Sequence, residues 1–542
     1  MSDDVEFRTG EKLVRRESIT AARGVGRGIR KGRWQGMGVR RRLAVFCAKL
    51  TDRLIRRLKM GNGGSFPGYV ARLVDPQILS RLADMVREKV IVVVGTNGKT
   101  TTTSILCHVL EAEGKKVVTN RMGANMLNGI VTGFVLAADK SGNLDADYAC
   151  IEVDEFASGY VFSRLKPHCV VFTNLFRDQL DRFGEVDAVL DRLKEAVMLV
   201  PDAALVLNGD DAVSYSLSYG CGNPVVSYGI GKEFLRDAPG DNTWESVRES
   251  AFCRLCGEPL EYDYYHYGQL GGWHCPKCGA RRPRPDYSAE DVERGKGEFT
   301  FRVVSCGAEN AGRKGLGMKK RGRRLSEGEK PGALGGAGGV FGVKFAYDIY
   351  NVLSAYAALA AMDAVWGFGE AMKNYHYGNR RESMFVIGGG QVQLHLAKNP
   401  MGFQQKLSYL QQDPRPKDVV IQINDTELDG QDVSWLWDVD FQTLGDVSVG
   451  RIVVGGTRRY DMGLRLKYEG LLWDFTSDLQ KTVLRLAQEG TGNLYVIVNY
   501  SGLYRMNHIL KGLENSGKLR KEARGHEVDC GVFISKSAQF VR

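Results

Sequence analysis

The sequence predicts an α/β fold in two units, the first carrying a phosphate loop in a parallel sheet and an inserted four-cysteine ribbon. Three observations predict it. Short apolar runs such as Val90–Val94 alternate with helical segments, as strands buried on both faces of a parallel sheet do. That run leads into Gly95-Thr96-Asn97-Gly98-Lys99-Thr100-Thr101, a glycine-framed lysine at the start of a helix. Two Cys-x-x-Cys pairs, Cys253/Cys256 and Cys275/Cys278, interrupt the alternation.

With 542 residues, 43% hydrophobic and 25% charged, the chain has the size and composition of a soluble protein of several domains. No run approaches the ~18 consecutive apolar residues of a membrane-spanning helix. The first residues show no apolar signal segment, so a cytoplasmic protein is expected. A formal charge of +10 suggests nucleic acid at first sight, but the charge is uneven. Residues 1–60 hold 17 Lys and Arg against 6 Asp and Glu, a net of +11, which leaves −1 for the other 482. The neutral body disfavours nucleic acid, which is not the expected partner, although a zinc-ribbon ATPase that binds it through the basic tail stays as an alternative. Seven of the eleven cysteines are scattered and read as small buried hydrophobes in a reducing compartment.

Residues 1–38 are basic and glycine-rich without hydrophobic periodicity, and read as a disordered extension. Leu43, Phe46, Leu50, Leu54 and Leu58 then recur at helical spacing, with arginines on the other face. Such a helix either docks on the first domain or lies on a membrane surface, and docking is expected because amphipathic helices usually face a core. The ATP-binding domain spans 39–383. Its strands are expected at Val90–Val94, Tyr148–Val153, Cys169–Phe172, Ala204–Leu207 and Val225–Ser227. The ribbon is inserted at 250–285, a Gly/Lys/Arg-rich flexible loop follows at 306–340, and a helix covers Tyr350–Met362. A smaller α/β domain occupies 384–542, with strands at Asp418–Ile423, Arg451–Val454 and Leu494–Val498.

In the phosphate loop, Gly95 and Gly98 let backbone N–H groups face phosphate oxygens of ATP. Lys99 places a cation by the β/γ-phosphates, and the Thr100 hydroxyl is positioned for Mg²⁺. Ile151-Glu152-Val153-Asp154-Glu155 closes a strand with carboxylates, and Glu152, ahead of Glu155, is the favoured Mg²⁺ ligand. The four cysteines have the spacing of a closed tetrahedral Zn²⁺ site, which is structural rather than catalytic.

Gly95-Thr96-Asn97-Gly98-Lys99-Thr100-Thr101 resembles the short phosphate loop of the Mur ligases, which form amide bonds in cell-wall precursors with ATP. Thr173-Asn174 with Asp178 to Gly184 resembles a further block of that family. Gln179 stands where the family has His, which puts a second metal site in doubt. Asn351 resembles the family's adenine-contacting Asn, and Gly378 to Glu382, with Arg381, its block before the C-terminal domain. Arg121, Asn125 and Asn128 are substrate-side candidates.

The cysteine ribbon, Leu396 to Phe403, Asn424 to Asp438 and Gly455 to Tyr468 are similar to one subgroup, the MurT ligases. That resemblance implies amidation of the D-glutamate α-carboxylate in the lipid II stem peptide, through an acyl phosphate, to D-isoglutamine. It implies a heterodimer with a glutaminase subunit, GatD, that supplies ammonia. The sequence offers no Cys/His glutaminase pair of its own. The resemblance makes Asp432 the residue that completes the partner's Cys-His pair; alternatively, Asp432 caps a turn. The remaining alternative is an amino-acid-adding Mur ligase. For the basic extension, two readings stand: contact with the inner membrane face near a lipid substrate, or a plain tail.

Overall fold

The computed structural model describes residues 30–58, 64–120, 124–176, 186–231, 250–295, 298–306, 340–365, 367–375, 382–426, 429–445 and 448–516. Residues 1–29, Arg121, Gln179 and its block, the loop over 307–339, and Arg381 lie outside them.

Helix α1 (Arg30–Arg57) starts inside the stretch read as an extension. It packs on α2 (Phe66–Val74), but not by its leucines. Ala44, Val45 and Ala48 are buried, whereas Leu43, Phe46, Leu50 and Leu54 are 52%, 62%, 45% and 50% exposed. The helix thus docks on the first domain, in line with one of the two readings, but through Ala44, Val45 and Ala48, with the leucine row left outside. The physical reason is close approach: Ala44 and Ala48, one turn apart, make a flat face that lets neighbouring backbones near.

Strand β1 (Lys89–Val94) leads through the phosphate loop into α3 (Lys99–Ala112). Val90, Val92 and Val94 join the core on one side of the sheet, and Ile91 and Val93 the core on the other. That two-faced burial is why the run has no polar alternation. After β2 (Val117–Val118), α4 (Leu127–Ala137), β3 (Tyr148–Glu152), β4 (Cys169–Phe172), β5 (Ala204–Asn208) and β6 (Val225–Ile230), the ribbon hairpin forms from β7 (Glu261–Tyr267) and β8 (Leu270–His274). Strands β9 (Tyr287–Arg294), β10 (Phe299–Ser305) and β11 (Val340–Val343) then rejoin the first sheet, whose order is β11-β10-β9-β6-β5-β4-β1-β3-β2. Pairing is parallel from β2 through β9, and antiparallel at β9–β10 and β10–β11. The sequence reading had no strands at β9 to β11. Because β6 and β9 are parallel neighbours, the ribbon lies within the connection between them.

Helix α5 (Ala346–Ala361) lies on the α3 side of this sheet. The second sheet takes β12 (Glu382–Ile387), β13 (Gly390–Leu396), β14 (Lys417–Gln422), β15 (Val449–Gly455), β16 (Asp474–Phe475) and β17 (Asn493–Val498) in the order β12-β13-β17-β14-β15-β16. Only β12–β13 is antiparallel, turning at Gly388 and Gly389, whose φ of 61° and 96° suit a tight hairpin. Helices α6 (Pro400–Gln412) and α7 (Arg459–Tyr468) cover one face; α8 (Leu479–Glu489) and α9 (500–516) cover the other.

Candidate active site

The first sheet changes direction at β1, with β3 on one side and β4 on the other. The crevice at the carboxyl end of β1 is where such sheets bind ligands. Here β1 delivers the phosphate loop, β3 delivers Glu152, and β4 delivers Thr173 and Asn174. Gly95 has φ 132°, and a Cβ there would lie 2.2 Å from Thr173 Oγ1. Gly98 has φ 88°, and its Cβ would lie 2.2 Å from Asn351 Oδ1. Both glycines are required by backbone conformation and by space.

The loop is held from beneath by side chains. Thr96 Oγ1 donates to Phe176 O (3.0 Å) and accepts the Phe176 N–H (2.9 Å). The Asn97 N–H donates to Asn174 Oδ1 (3.0 Å), and Asn97 O accepts from Thr173 Oγ1 (2.7 Å) and Asn174 Nδ2 (3.1 Å). Thr101 is buried in the first turn of α3, and Thr102 bonds Ser354 of α5 at 2.9 Å. Asn351, buried against Gly98, donates from Nδ2 to Asp348 Oδ1 at 2.9 Å.

Two pairs form the centre. Lys99 Nζ donates to Glu155 Oε1 at 2.9 Å and to the Gly95 carbonyl. Thr100 Oγ1 donates to Glu152 Oε2 at 2.8 Å. Burial pulls the Lys99 pKa down, but the carboxylates of Glu155, Glu152 and Asp154 outweigh it and hold the ammonium above the ordinary lysine value. Burial pushes the Glu155 carboxyl up, against the pull of Lys99. A buried cation set among acids at a helix N-terminus suits a polyanion that arrives with a divalent metal. Of the two acids read as Mg²⁺ candidates, Glu152 faces the Thr100 hydroxyl and Glu155 faces Lys99.

Sequence reasoning missed three supports. Asn120 clamps Glu152 by donating from Nδ2 to Glu152 O (2.7 Å) and accepting the Glu152 N–H at Oδ1 (3.0 Å). Asn399 caps α6 by accepting the Gly402 N–H (2.7 Å) and reaches Asn97 Oδ1 of the phosphate loop at 3.4 Å. Asp210 is a buried hub: it accepts from Tyr350 Oη (2.8 Å) and the Ile230 N–H (2.8 Å), and pairs with Arg282. Asn399 stands in a quoted sequence block, but its contact spans 302 residues and leaves no local signal. Asn128 is engaged elsewhere, accepting from Arg72 Nη1 at 2.7 Å, and Asn125 gives its carbonyl to the Asp154 N–H.

Asp432 accepts the Ser434 N–H (2.8 Å) and the Ser434 hydroxyl (3.0 Å) within its own turn. No hydrogen bond or ion pair among the described residues joins it to the phosphate loop.

The four cysteines do come together. Their Sγ atoms all lie within 4.8 Å of one another, with Cys253–Cys278 at 3.6 Å and Cys256–Cys275 at 3.5 Å. Gly257 and Gly279 follow the pairs at φ 77° and 76°, and donate N–H to Cys253 O and Cys275 O. The Cys278 N–H directed at Cys275 Sγ is foremost in drawing that thiol down to about 6. Four converging sulfurs, one poised as thiolate, fit Zn²⁺. Trp273 and Arg282 anchor the ribbon to the sheet through Gly209 O (3.0 Å) and Ile230 O (2.8 Å).

The chain matches the Mur ligase middle domain over residues 93–261 and the MurT ligase C-terminal domain over 396–503. It is 32% identical over 427 residues to the lipid II isoglutaminyl synthase (glutamine-hydrolyzing) subunit MurT of Staphylococcus aureus, covering 78% of this chain and 87% of that one. To the subunit of the same name from Streptococcus pneumoniae it is 29% identical, covering 88% and 98%. In fold it is similar to a pseudomurein peptide ligase type C from Methanothermus fervidus, with TM-score 0.57, 18% identity and 80% of each chain covered. MurF from Acinetobacter baumannii gives TM-score 0.55, 15% identity, and 82% and 81% coverage. The chain belongs to the MurT family of Mur ligase-like, ATP-dependent ligases, the MurT subunits of lipid II isoglutaminyl synthase.

Proposed function

We propose that this chain uses ATP to convert the D-glutamate α-carboxylate of the lipid II stem peptide to the amide of D-isoglutamine. The observation that carries this reading is one chain holding both the Lys99–Glu155 and Thr100–Glu152 pairs and a MurT C-terminal domain.

Gly95 to Thr101 cradle the phosphates, with Asn351 bordering the nucleotide beside Gly98. ATP replaces Glu155 as the partner of Lys99, which then neutralises charge on the γ-phosphate during transfer. Thr100 and Glu152 would hold Mg²⁺, which would supply charge stabilisation to the phosphates. A substrate carboxylate oxygen attacks the γ-phosphorus, the bond to ADP breaks, and an acyl phosphate forms. Ammonia adds to the acyl carbon, phosphate leaves with the bonding pair, and a proton passes to solvent. The contribution of the chain is position and charge, with no covalent enzyme intermediate. Cys253, Cys256, Cys275 and Cys278 hold a structural Zn²⁺. We read 39–383 as the ATP-binding unit and 384–542 as the unit that meets a separate glutaminase, GatD, in a heterodimer. Asp432 there orients the glutaminase His. Exposed Trp437, Tyr460 and Tyr468 beyond that loop offer aromatic contact area for such a partner.

The test mixes the purified chain, the glutaminase, lipid II, ATP and glutamine, and reads D-isoglutamine by mass spectrometry. Amide formation is expected. ATP turnover on free amino acids with no amidated lipid II would instead establish an amino-acid-adding ligase.

A further inference from the structure

We propose that the outward face of α1 is a docking surface for an anionic lipid bilayer. Leu43, Phe46, Leu50 and Leu54 follow one another at three- and four-residue spacing along a face opposite buried Ala44 and Ala48. Val39 extends the row at 65% exposure. The adjoining α2 carries its own exposed row of Phe66, Tyr69 and Leu73, at 56%, 45% and 64%. A stripe of this length is more than the scattered exposed leucines of an ordinary surface.

Charge identifies the occupant. Residues 1–29 hold six Lys and Arg against five Asp and Glu, close to neutral. Helix α1 holds ten against one, and that one, Asp52, is bonded to Arg56 at 2.8 Å. The basic excess thus belongs to the helix with the exposed stripe, and not to the segment before it. Arg53 and Arg57 are exposed on that helix, whereas Arg42 donates from Nε to the Ser141 carbonyl at 3.2 Å. By helical spacing Arg53 borders the leucine row, and Arg57 continues it. A basic helix with leucine and phenylalanine on one side lies in the interface, its apolar side chains among acyl chains and its guanidinium groups on lipid phosphates. Nucleic acid would use the arginines but leave the leucines in water. A second copy would set like charges against each other around the stripe.

No helix among the described residues is long and apolar enough to cross a membrane, so the contact is peripheral. The test uses the full chain and vesicles free of lipid II, so substrate recognition plays no part. Sedimentation with phosphatidylglycerol vesicles is compared with phosphatidylcholine vesicles. Binding is expected to the anionic vesicles only, and to weaken with added salt. Leu43→Gln/Phe46→Gln/Leu50→Gln/Leu54→Gln should reduce it about tenfold or more, and Arg53→Gln/Arg57→Gln several-fold. Unchanged thermal unfolding of both variants shows that the fold is kept, since every changed residue is exposed. A Phe46→Trp variant gives a second readout, a blue-shifted emission with the anionic vesicles. Equal vesicle binding by the leucine variant and the parent overturns the proposal. So does binding that is lost on removal of residues 1–29 alone. Light scattering that shows a dimer, broken by the leucine variant and without vesicle binding, assigns the face to a second copy and overturns it as well.

Discussion

The two sheets present their carboxyl ends very differently. At the end of β1 and β3 three buried charged side chains and one half-buried hydroxyl are held in pairs, Lys99 with Glu155 and Thr100 with Glu152. At the ends of β14, β15 and β17 the polar groups close on themselves. The Asn424 N–H donates to Asn499 Oδ1 (3.2 Å), Asn499 Nδ2 donates back to Asn424 O (2.6 Å), and Thr457 and Arg458 both donate to Asp425 (2.7 and 2.8 Å). The same architectural position thus holds an ion pair and a hydroxyl–carboxylate pair in one unit and a sealed edge in the other. Topology supplies the place; the chemistry depends on whether the residues there are satisfied by one another or by groups that a ligand can replace.

The sharpest way to break this contrast is Lys99→Ala. ATP turnover, followed by phosphate release, should fall by at least ~1000-fold with the fold intact. Retained turnover would remove the phosphate loop from the chemistry. Asp432→Asn tests the second sheet from outside. Glutamine-supported amidation should fall ~100-fold while ammonium-supported amidation stays, because only a glutaminase histidine would be disoriented. Equal loss with both nitrogen sources would give Asp432 a different role. Glu152→Gln should raise the Mg²⁺ concentration for half-maximal turnover by ~10–100-fold, and an unmoved Mg²⁺ titration would exclude it as a ligand. Cys275→Ser should strip zinc, read by metal analysis, and weaken ATP binding modestly through the Arg282–Asp210–Tyr350 chain beside Asn351. The smallest effect on activity is expected at the sealed edge. Asn499→Ala should cost about 1–3 kcal/mol of stability in denaturant unfolding, from unpaired polar groups, with ATP turnover unchanged.

Much of the first unit was legible because its signals are local. The phosphate loop, Glu152 and the cysteine knuckles each occupy a few consecutive residues, and β4 falls at Cys169–Phe172 as read. The α1 face was misjudged because leucine spacing reports a helix face but not its direction. Two alanines decided the docking, and their advantage exists only once α2 is in place. Strands β9 to β11 escaped notice since β9 breaks its alternation at Glu290-Asp291 and pairs with β6 across the ribbon. The Asn399–Asn97 contact and the Asp210 hub join residues far apart in sequence, which one-dimensional pattern cannot show.

The position of the ribbon between two parallel neighbours limits how this protein can be minimised. An insertion between antiparallel strands can be cut out and replaced by a two-residue turn. Here Tyr228 to Ile230 run alongside Tyr287 to Ala289 in the same direction, so any shortened chain must return to the starting edge of the sheet before re-entering. Such a return takes a dozen residues or more. A metal-free derivative would therefore need a whole crossover element, such as a designed helix, in place of the cysteines, with new anchors for Gly209 and Asp210. Point removal of the thiols alone would leave that span of chain in place, its knuckles held only through the β7–β8 hairpin and the Trp273 and Arg282 anchors.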